Sequence, residues 1–259
     1  MLTDSHCHLD FKCFDANLAQ LLEACRKVGV CSFLVPSTTK ASWPNVIKLS
    51  KSYPQVQIAL GLHPYFLDTE MDVELDIELL DLALSSEAVV AVGEIGLDKW
   101  PGMPEYDFQK YLFTEQLKLA KKHGLPVILH ARKSEDDLLK EIRRLDFQFG
   151  GIVHAFNGSL QQAKQFVELG FVLGIGGTVT YSRAQKAQRV LKALSDNDFV
   201  LETDSPDMPL SGYQGQMNTP DKVLLVAQEV AKIRDQSIDQ IAQYTRANLL
   251  RVLPKWHEV

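Results

Sequence analysis

Short, near-continuous apolar runs recur along the chain, and stretches of helical spacing separate them. The runs are Met1-Leu2-Thr3, Val30 to Val35, Val56 to Gly61, Ala88 to Val92, Pro126 to Leu129, Ile152-Val153, Phe171 to Ile175 and Phe199 to Leu201. Between them, apolar residues at i, i+3 and i+4 predict helices. The first covers Asn17 to Val28, with Leu18, Leu21, Leu22 and Cys25 on one face and Gly29 as its stop. Further helices are predicted at Trp43 to Ser52, Val73 to Ser85, Tyr106 to His123, Glu135 to Leu145, Leu160 to Leu169, Arg183 to Leu194 and Asp221 to Lys232. A last amphipathic segment, Ile238 to Leu253, closes the chain. Strands without polar alternation are buried on both faces, as parallel strands covered by helices are. Eight such strands, each followed by a helix, predict an α/β fold, a (β/α)8 TIM barrel with a C-terminal capping helix, spanning residues 1–259 as one domain. A doubly wound open sheet competes, but no Gly-x-Gly-x-x-Gly follows the first strand. Gly174-Ile175-Gly176-Gly177 lacks the Lys-Ser/Thr of a P-loop and reads as a tight turn or a phosphate-accepting nest.

Composition narrows the class. A net charge of −6 argues against a protein that coats nucleic acid by bulk electrostatics, and leaves room for a local basic cleft. The four cysteines, Cys7, Cys13, Cys25 and Cys31, have no Cys-x-x-Cys spacing and suit reduced thiols better than disulfides or a thiolate zinc site. The sequence shows neither a signal-peptide pattern nor an 18-residue apolar run, so the expectation is a cytoplasmic protein with no membrane span and no obligate protein partner.

The candidate chemistry lies at the ends of the strands. Asp4-Ser5-His6-Cys7-His8-Leu9-Asp10 follows the first run. In an extended backbone, residues two apart point to one face and lie about 6.6 Å apart, at about 3.3 Å per residue, so the two imidazoles can share a cation. Cys7 points the other way. The third strand ends in Gly61-Leu62-His63-Pro64, the fourth in Gly93-Glu94-Ile95-Gly96, the fifth in His130-Ala131-Arg132, the sixth in His154 and the eighth in Glu202-Thr203-Asp204-Ser205-Pro206. Five of the seven histidines fall at such ends; His123 and His257 do not. Barrel enzymes build their active sites there. His6, His8, Glu94, His130, His154 and Asp204 are too many ligands for one tetrahedral ion and suit two divalent ions that share a carboxylate. Nitrogen and oxygen donors without thiolate fit Zn, Mn or Mg alike. Such a centre activates water, so the expected reaction is hydrolysis.

These segments, together with Leu97-Asp98, Pro126 to Leu129 and His154-Ala155-Phe156-Asn157-Gly158-Ser159, resemble the TatD family of metal-dependent hydrolases in the amidohydrolase superfamily, its YjjV-type members most of all. The resemblance implies a (β/α)8 barrel, a dinuclear site and deoxyribonuclease activity, with DNA as the partner. It also implies that His6, His8 and Asp204 hold one metal, that His130 and His154 hold the other, and that Glu94 bridges them. Two loops depart from the family pattern. Met217 precedes Asn218-Thr219-Pro220 where a basic residue is common, and Lys99-Trp100-Pro101 replaces a commoner aromatic pair.

Several roles stay open at this level. Asp204 is the candidate for orienting the attacking water and taking its proton, or serves only as a ligand. Glu202 either fixes the tautomer of a ligand histidine or is a buried, hydrogen-bonded carboxylate. His63 contacts a phosphate or leaving group, or is a turn histidine. Arg132 pairs with phosphate, or with Glu135 or Asp136. Phe11, Tyr65, Phe66 and Trp100 stack on bases or simply pack. The leading function is a phosphodiesterase acting on DNA ends or single strands. The alternative keeps the metals and cleaves a small ester or amide.

Overall fold

A computed structural model describes residues 1–68 and 71–257. Its strands are β1 (Leu2–Asp4), β2 (Val30–Pro36), β3 (Val56–Leu60), β4 (Ala91–Asp98), β5 (Val127–Arg132), β6 (Gly151–Val153), β7 (Phe171–Ile175) and β8 (Phe199–Leu201), and they form one sheet in chain order. Every adjacent pair from β1 to β8 is parallel. The helices are α1 (Leu18–Lys27), α2 (Trp43–Ser52), α3 (Val73–Ser86), α4 (Tyr106–His123), α5 (Glu135–Arg144), α6 (Leu160–Glu168), α7 (Gln185–Ala193), α8 (Val223–Arg234) and α9 (Ile238–Val252). This is the TIM-barrel alternation that the hydrophobic pattern predicts. Among the described residues no helix is long and apolar enough to cross a membrane.

Each strand divides its apolar residues between two cores, which is why the runs lack polar alternation. One set, including Phe33, Val35, Ile58 and Leu129, packs under the helices. The other set, Leu34, Ala59, Ile128, Ile152, Val172 and Val200, clusters with Leu249, Val252, Leu253 and Trp256. The last segment therefore packs against the barrel strands as the capping helix expected of it. Asn248 ties α9 to β8, its amide donating to the carbonyls of Asp196 (2.7 Å) and Phe199 (2.8 Å).

Two strands run further than their apolar patterns suggest. β4 continues past Val92 through Gly93 and Glu94 to Asp98, buried throughout, with a register shift between Val92 and Ile95. Gly96 permits this, because a Cβ there would lie 2.0 Å from the His130 carbonyl oxygen. β5 likewise extends to Arg132. Further along the chain, α7 begins at Gln185, leaving Arg183 in the turn before it. The glycine cluster ends β7 and enters a 3-10 turn, Gly177–Thr180.

Isolated bonds, rather than a continuous ladder, bring β8 back to β1. The Ser5 amide donates to Leu201 O (2.9 Å), the Asp204 amide to His6 O (2.9 Å) and the His8 amide to Ser205 O (2.7 Å). The fully buried Asp4 carboxylate clasps this seam. It accepts from the His6 amide (3.2 Å), the Thr203 amide (3.0 Å) and the Thr203 hydroxyl (2.5 Å). Asp4→Ala would strand two buried amides and a hydroxyl, at about 1–3 kcal/mol for each unsatisfied group. Urea denaturation should show a loss of about 3 kcal/mol or more; a midpoint unchanged from wild type would contradict this role.

Candidate metal centre

The seam places its own side chains. His6 and His8 flank the Cys7–Ser205 bridge, and their Nε2 atoms meet 3.3 Å apart. Cys7 turns away, its thiol 3.7 Å from the Leu34 carbonyl oxygen. Across the seam Asp204, at φ 58°, presents Oδ1 3.6 Å from His6 Nε2 and 3.5 Å from His8 Nε2. Asp is among the few residues that tolerate this left-handed backbone. Donors held about 2.1 Å from a tetrahedral ion lie about 3.4 Å from one another. The His6–His8–Asp204 triangle, with edges of 3.3, 3.6 and 3.5 Å, matches that spacing without rearrangement. Imidazoles and carboxylates, with no thiolate, are a fitting donor set for a hard or borderline divalent ion.

Glu94 divides its oxygens between two groups. Oε2 lies 3.0 Å from His6 Nε2 and 3.7 Å from His8 Nε2, while Oε1 lies 3.1 Å from both His63 Nε2 and His130 Nδ1. This is the disposition a bridging carboxylate needs. His130 presents Nδ1 to Glu94 because its Nε2 faces Asp98 Oδ2 at 3.1 Å. A carboxylate behind a histidine in this way fixes its tautomer and raises its basicity. Asp98, 1% exposed, also accepts from the Trp100 amide (2.7 Å). The apolar pattern assigns Asp98 no role, because it ends the strand at Val92. The available signal was a carboxylate four residues beyond Glu94, an even spacing that keeps both on one face of an extended strand.

His154 Nε2 lies 3.5 Å from Asp204 Oδ1, and its ring stacks on His6 at 3.6 Å. Its ring centre is 6.5 Å from that of His130; His154 groups with His6 and Glu202, while His130 groups with His63 and Glu94. Behind His154, Glu202 Oε1 approaches Nδ1 to 3.0 Å, off the angle of a hydrogen bond, and accepts the Ala155 amide at 2.6 Å. The room for this carboxylate comes from Gly174, where a Cβ would lie 2.1 Å from Glu202 Oε2. His63 accepts the Tyr65 amide on Nδ1 (3.0 Å), so a neutral ring carries its proton on Nε2, toward Glu94. That tautomer makes His63 a donor to Glu94 and not a ligand.

Burial alone would raise the pKa values of Glu94 and Asp204, but the surrounding histidines outweigh it and hold both carboxyls well below their usual range. Burial would likewise lower those of the histidines. Against it, Asp204 and Glu94 push His8 up to about 9, Asp98 and Glu94 raise His130, and Glu202 and Asp204 raise His154 well above its ordinary value. For His63, burial dominates and brings it down to about 4. Without metal, then, the carboxylates favour the protonated form of His8, His130 and His154.

The mouth of this cluster is a cavity of about 730 Å³ lined by His8, His63, Glu94, His130, His154 and Asp204. Aromatic side chains border it: Phe11 stacks on His8 (4.9 Å), Phe66 meets His63 edge-on (5.6 Å) and Tyr65 meets Phe66 (4.8 Å). Arg132 does not pair with Glu135 or Asp136. It lies over the Trp100 ring (3.8 Å) with its guanidinium 3.9 Å from Asp98, because β5 extends far enough to set it beside the β4 loop. Met217, half-exposed, is outside this lining.

The model of the family described as TatD related DNase matches residues 3–254. The chain belongs to the TatD family of metal-dependent hydrolases. It is 43% identical over 240 residues to the uncharacterised metal-dependent hydrolase YjjV of Escherichia coli K12, covering 93% of each. An uncharacterised metal-dependent hydrolase of Haemophilus influenzae is 34% identical, with 96% of this chain and 98% of that one covered. The crystal structure of E. coli YjjV, a TatD homologue, superposes with a TM-score of 0.93 at 41% identity over 98% of both chains.

Two outcomes follow for this TatD-family site. Uptake of Zn must displace protons from His8 and its neighbours, so calorimetry at pH 7 in buffers of different ionisation enthalpy should show proton release, and affinity should fall with pH below about 9. Asp98→Asn should weaken metal binding by about 10- to 100-fold with the fold intact; wild-type affinity in that variant would remove Asp98 from the site.

Proposed function

We propose that this TatD-family hydrolase cleaves phosphodiester bonds of DNA, at ends or in single strands, with two divalent ions. His6, His8 and Asp204 would hold one ion, His130 and His154 the other, and Glu94 would lie between them. The observation that carries the reading is the division of the Glu94 oxygens between the two histidine groups at 3.0 and 3.1 Å. When bound, the ions supply an acidified water and charge stabilisation at the phosphoryl oxygens. Asp204, its carboxyl held below the usual range by the surrounding histidines, orients the attacking water and accepts its proton. Glu202 acts at one remove, setting the orientation of His154. His63 holds the inner oxygen of Glu94 and stands at the cavity wall, where a phosphate oxygen or leaving group passes. Arg132, fixed by Trp100 and Asp98, presents its remaining guanidinium N–H groups to a phosphate. Phe11, Tyr65 and Phe66 offer apolar faces to the bases.

The test is release of nucleotides from a labelled single-stranded oligonucleotide with added Mg, Mn or Zn. Asp204→Asn should lose about 10²- to 10⁴-fold in kcat with an unchanged thermal melt. Absence of nuclease activity with all three metals, beside turnover of an ester or amide, would replace this reading with the acyl-bond one.

A further inference from the structure

We propose that a cationic annex beside the metal centre binds a phosphate of the DNA strand adjacent to the one being cut; this rests on the phosphodiesterase reading above. Next to the 730 Å³ cavity lies a second concavity of about 460 Å³, and the two share Asn157, Thr178 and Met208 as common wall. They are therefore two parts of one groove. Their charges differ in sign. The metal end is lined by Glu94, Asp204 and Asp207, with Arg132 its one Lys or Arg among the described residues. The annex is lined by Arg183 and Lys186 and, among the described residues, by no carboxylate.

In a chain of net charge −6, neither of these cations is neutralised. Arg183 lies over the Tyr181 ring at 5.2 Å, and Lys186 donates to the Asn157 carbonyl at 2.8 Å; neither forms an ion pair among the described residues. The guanidinium fork and the remaining ammonium N–H groups stay available to phosphate oxygens. The platform is also built in advance. The Tyr181 hydroxyl donates to Pro209 O (2.6 Å), the Thr180 hydroxyl to Gly177 O (2.6 Å) and the Ser211 amide to Thr180 Oγ1 (2.9 Å), which pins the turn before α7 to the loop after β8. Metals held at one end of the groove would neutralise the scissile phosphate, and Arg183 and Lys186 meet the next one at the other. A substrate with a single phosphodiester and no flanking nucleotides would not reach the annex.

The experiment compares two substrates, a single-stranded 12-mer and bis(p-nitrophenyl) phosphate, with wild-type enzyme, Arg183→Ala/Lys186→Ala and the charge-keeping Arg183→Lys/Lys186→Arg. Loss of the charges should raise KM for the 12-mer about 10-fold at unchanged kcat, and flatten the log–log salt dependence by about 0.7 for each phosphate no longer neutralised. Turnover of bis(p-nitrophenyl) phosphate should be unaffected, and the charge-keeping variant should behave as wild type. Equal 12-mer KM and salt slope in the alanine variant would overturn the annex while leaving the phosphodiesterase reading intact. A parallel loss on both substrates would also overturn it. Wild-type enzyme inert on both substrates would overturn the phosphodiesterase reading, and the annex with it.

Discussion

The buried Asp4 carboxylate is the constraint on which the site depends. A barrel of eight parallel strands must join its last strand to its first, and here β8 and β1 share only scattered backbone bonds. Asp4 completes the junction by accepting from the amides of His6 and Thr203 and from the Thr203 hydroxyl. The residues so fixed are the neighbours of His8 and Asp204, so the seam that closes the sheet also sets the distances between three candidate ligands. Asn218 reinforces it from the loop, donating to the carbonyls of Thr203 (2.9 Å) and Asp207 (3.0 Å). Fold closure and ligand geometry are one structural problem with one solution.

That solution concentrates charge. Glu94, Asp204, Asp98 and Glu202 converge on histidines at the floor of the cavity, an arrangement that is costly unless cations compensate it. The carboxylates raise the pKa values of His8, His130 and His154, which favours such cations at the site. The buried His6 and His8 Nδ1 atoms have no hydrogen-bond partner, and Glu202 keeps one oxygen unpaired beside Gly174. Gly96 and Gly174 make the close approaches possible, one beneath His130 and one beneath Glu202.

Much of this is legible in the sequence, since burial on both faces leaves unbroken apolar runs and barrels carry their chemistry where those runs stop. His6, His8, Glu94, His130, His154 and Asp204 are found that way, and the structure brings them together. What the pattern hides has a physical cause. Glycines at 93 and 96 look like strand ends, yet they are there because Ile128 presses on Gly93 and the His130 backbone on Gly96; with the strand cut short, Asp98 has no place behind His130. The acids that open α5 are the nearest partners for Arg132 in sequence, but the longer β5 carries it to Trp100 and Asp98. Arg183 reads as the start of a helix, and its role as a side chain of the turn depends on the loop after β8, a contact between distant parts of the chain. His63 is visible at its strand end, but the tautomer that makes it a donor depends on the Tyr65 amide.

Everything proposed for this site rests on Glu94 joining two ions held at the strand ends. The direct measurement is elemental analysis of the intact protein, loaded with Zn or Mn and freed of excess metal, beside Glu94→Gln treated in the same way. Close to two divalent ions per wild-type chain and a clear deficit in the variant are expected. One ion or none in the loaded wild type, or an undiminished pair in Glu94→Gln, would contradict the bridging role.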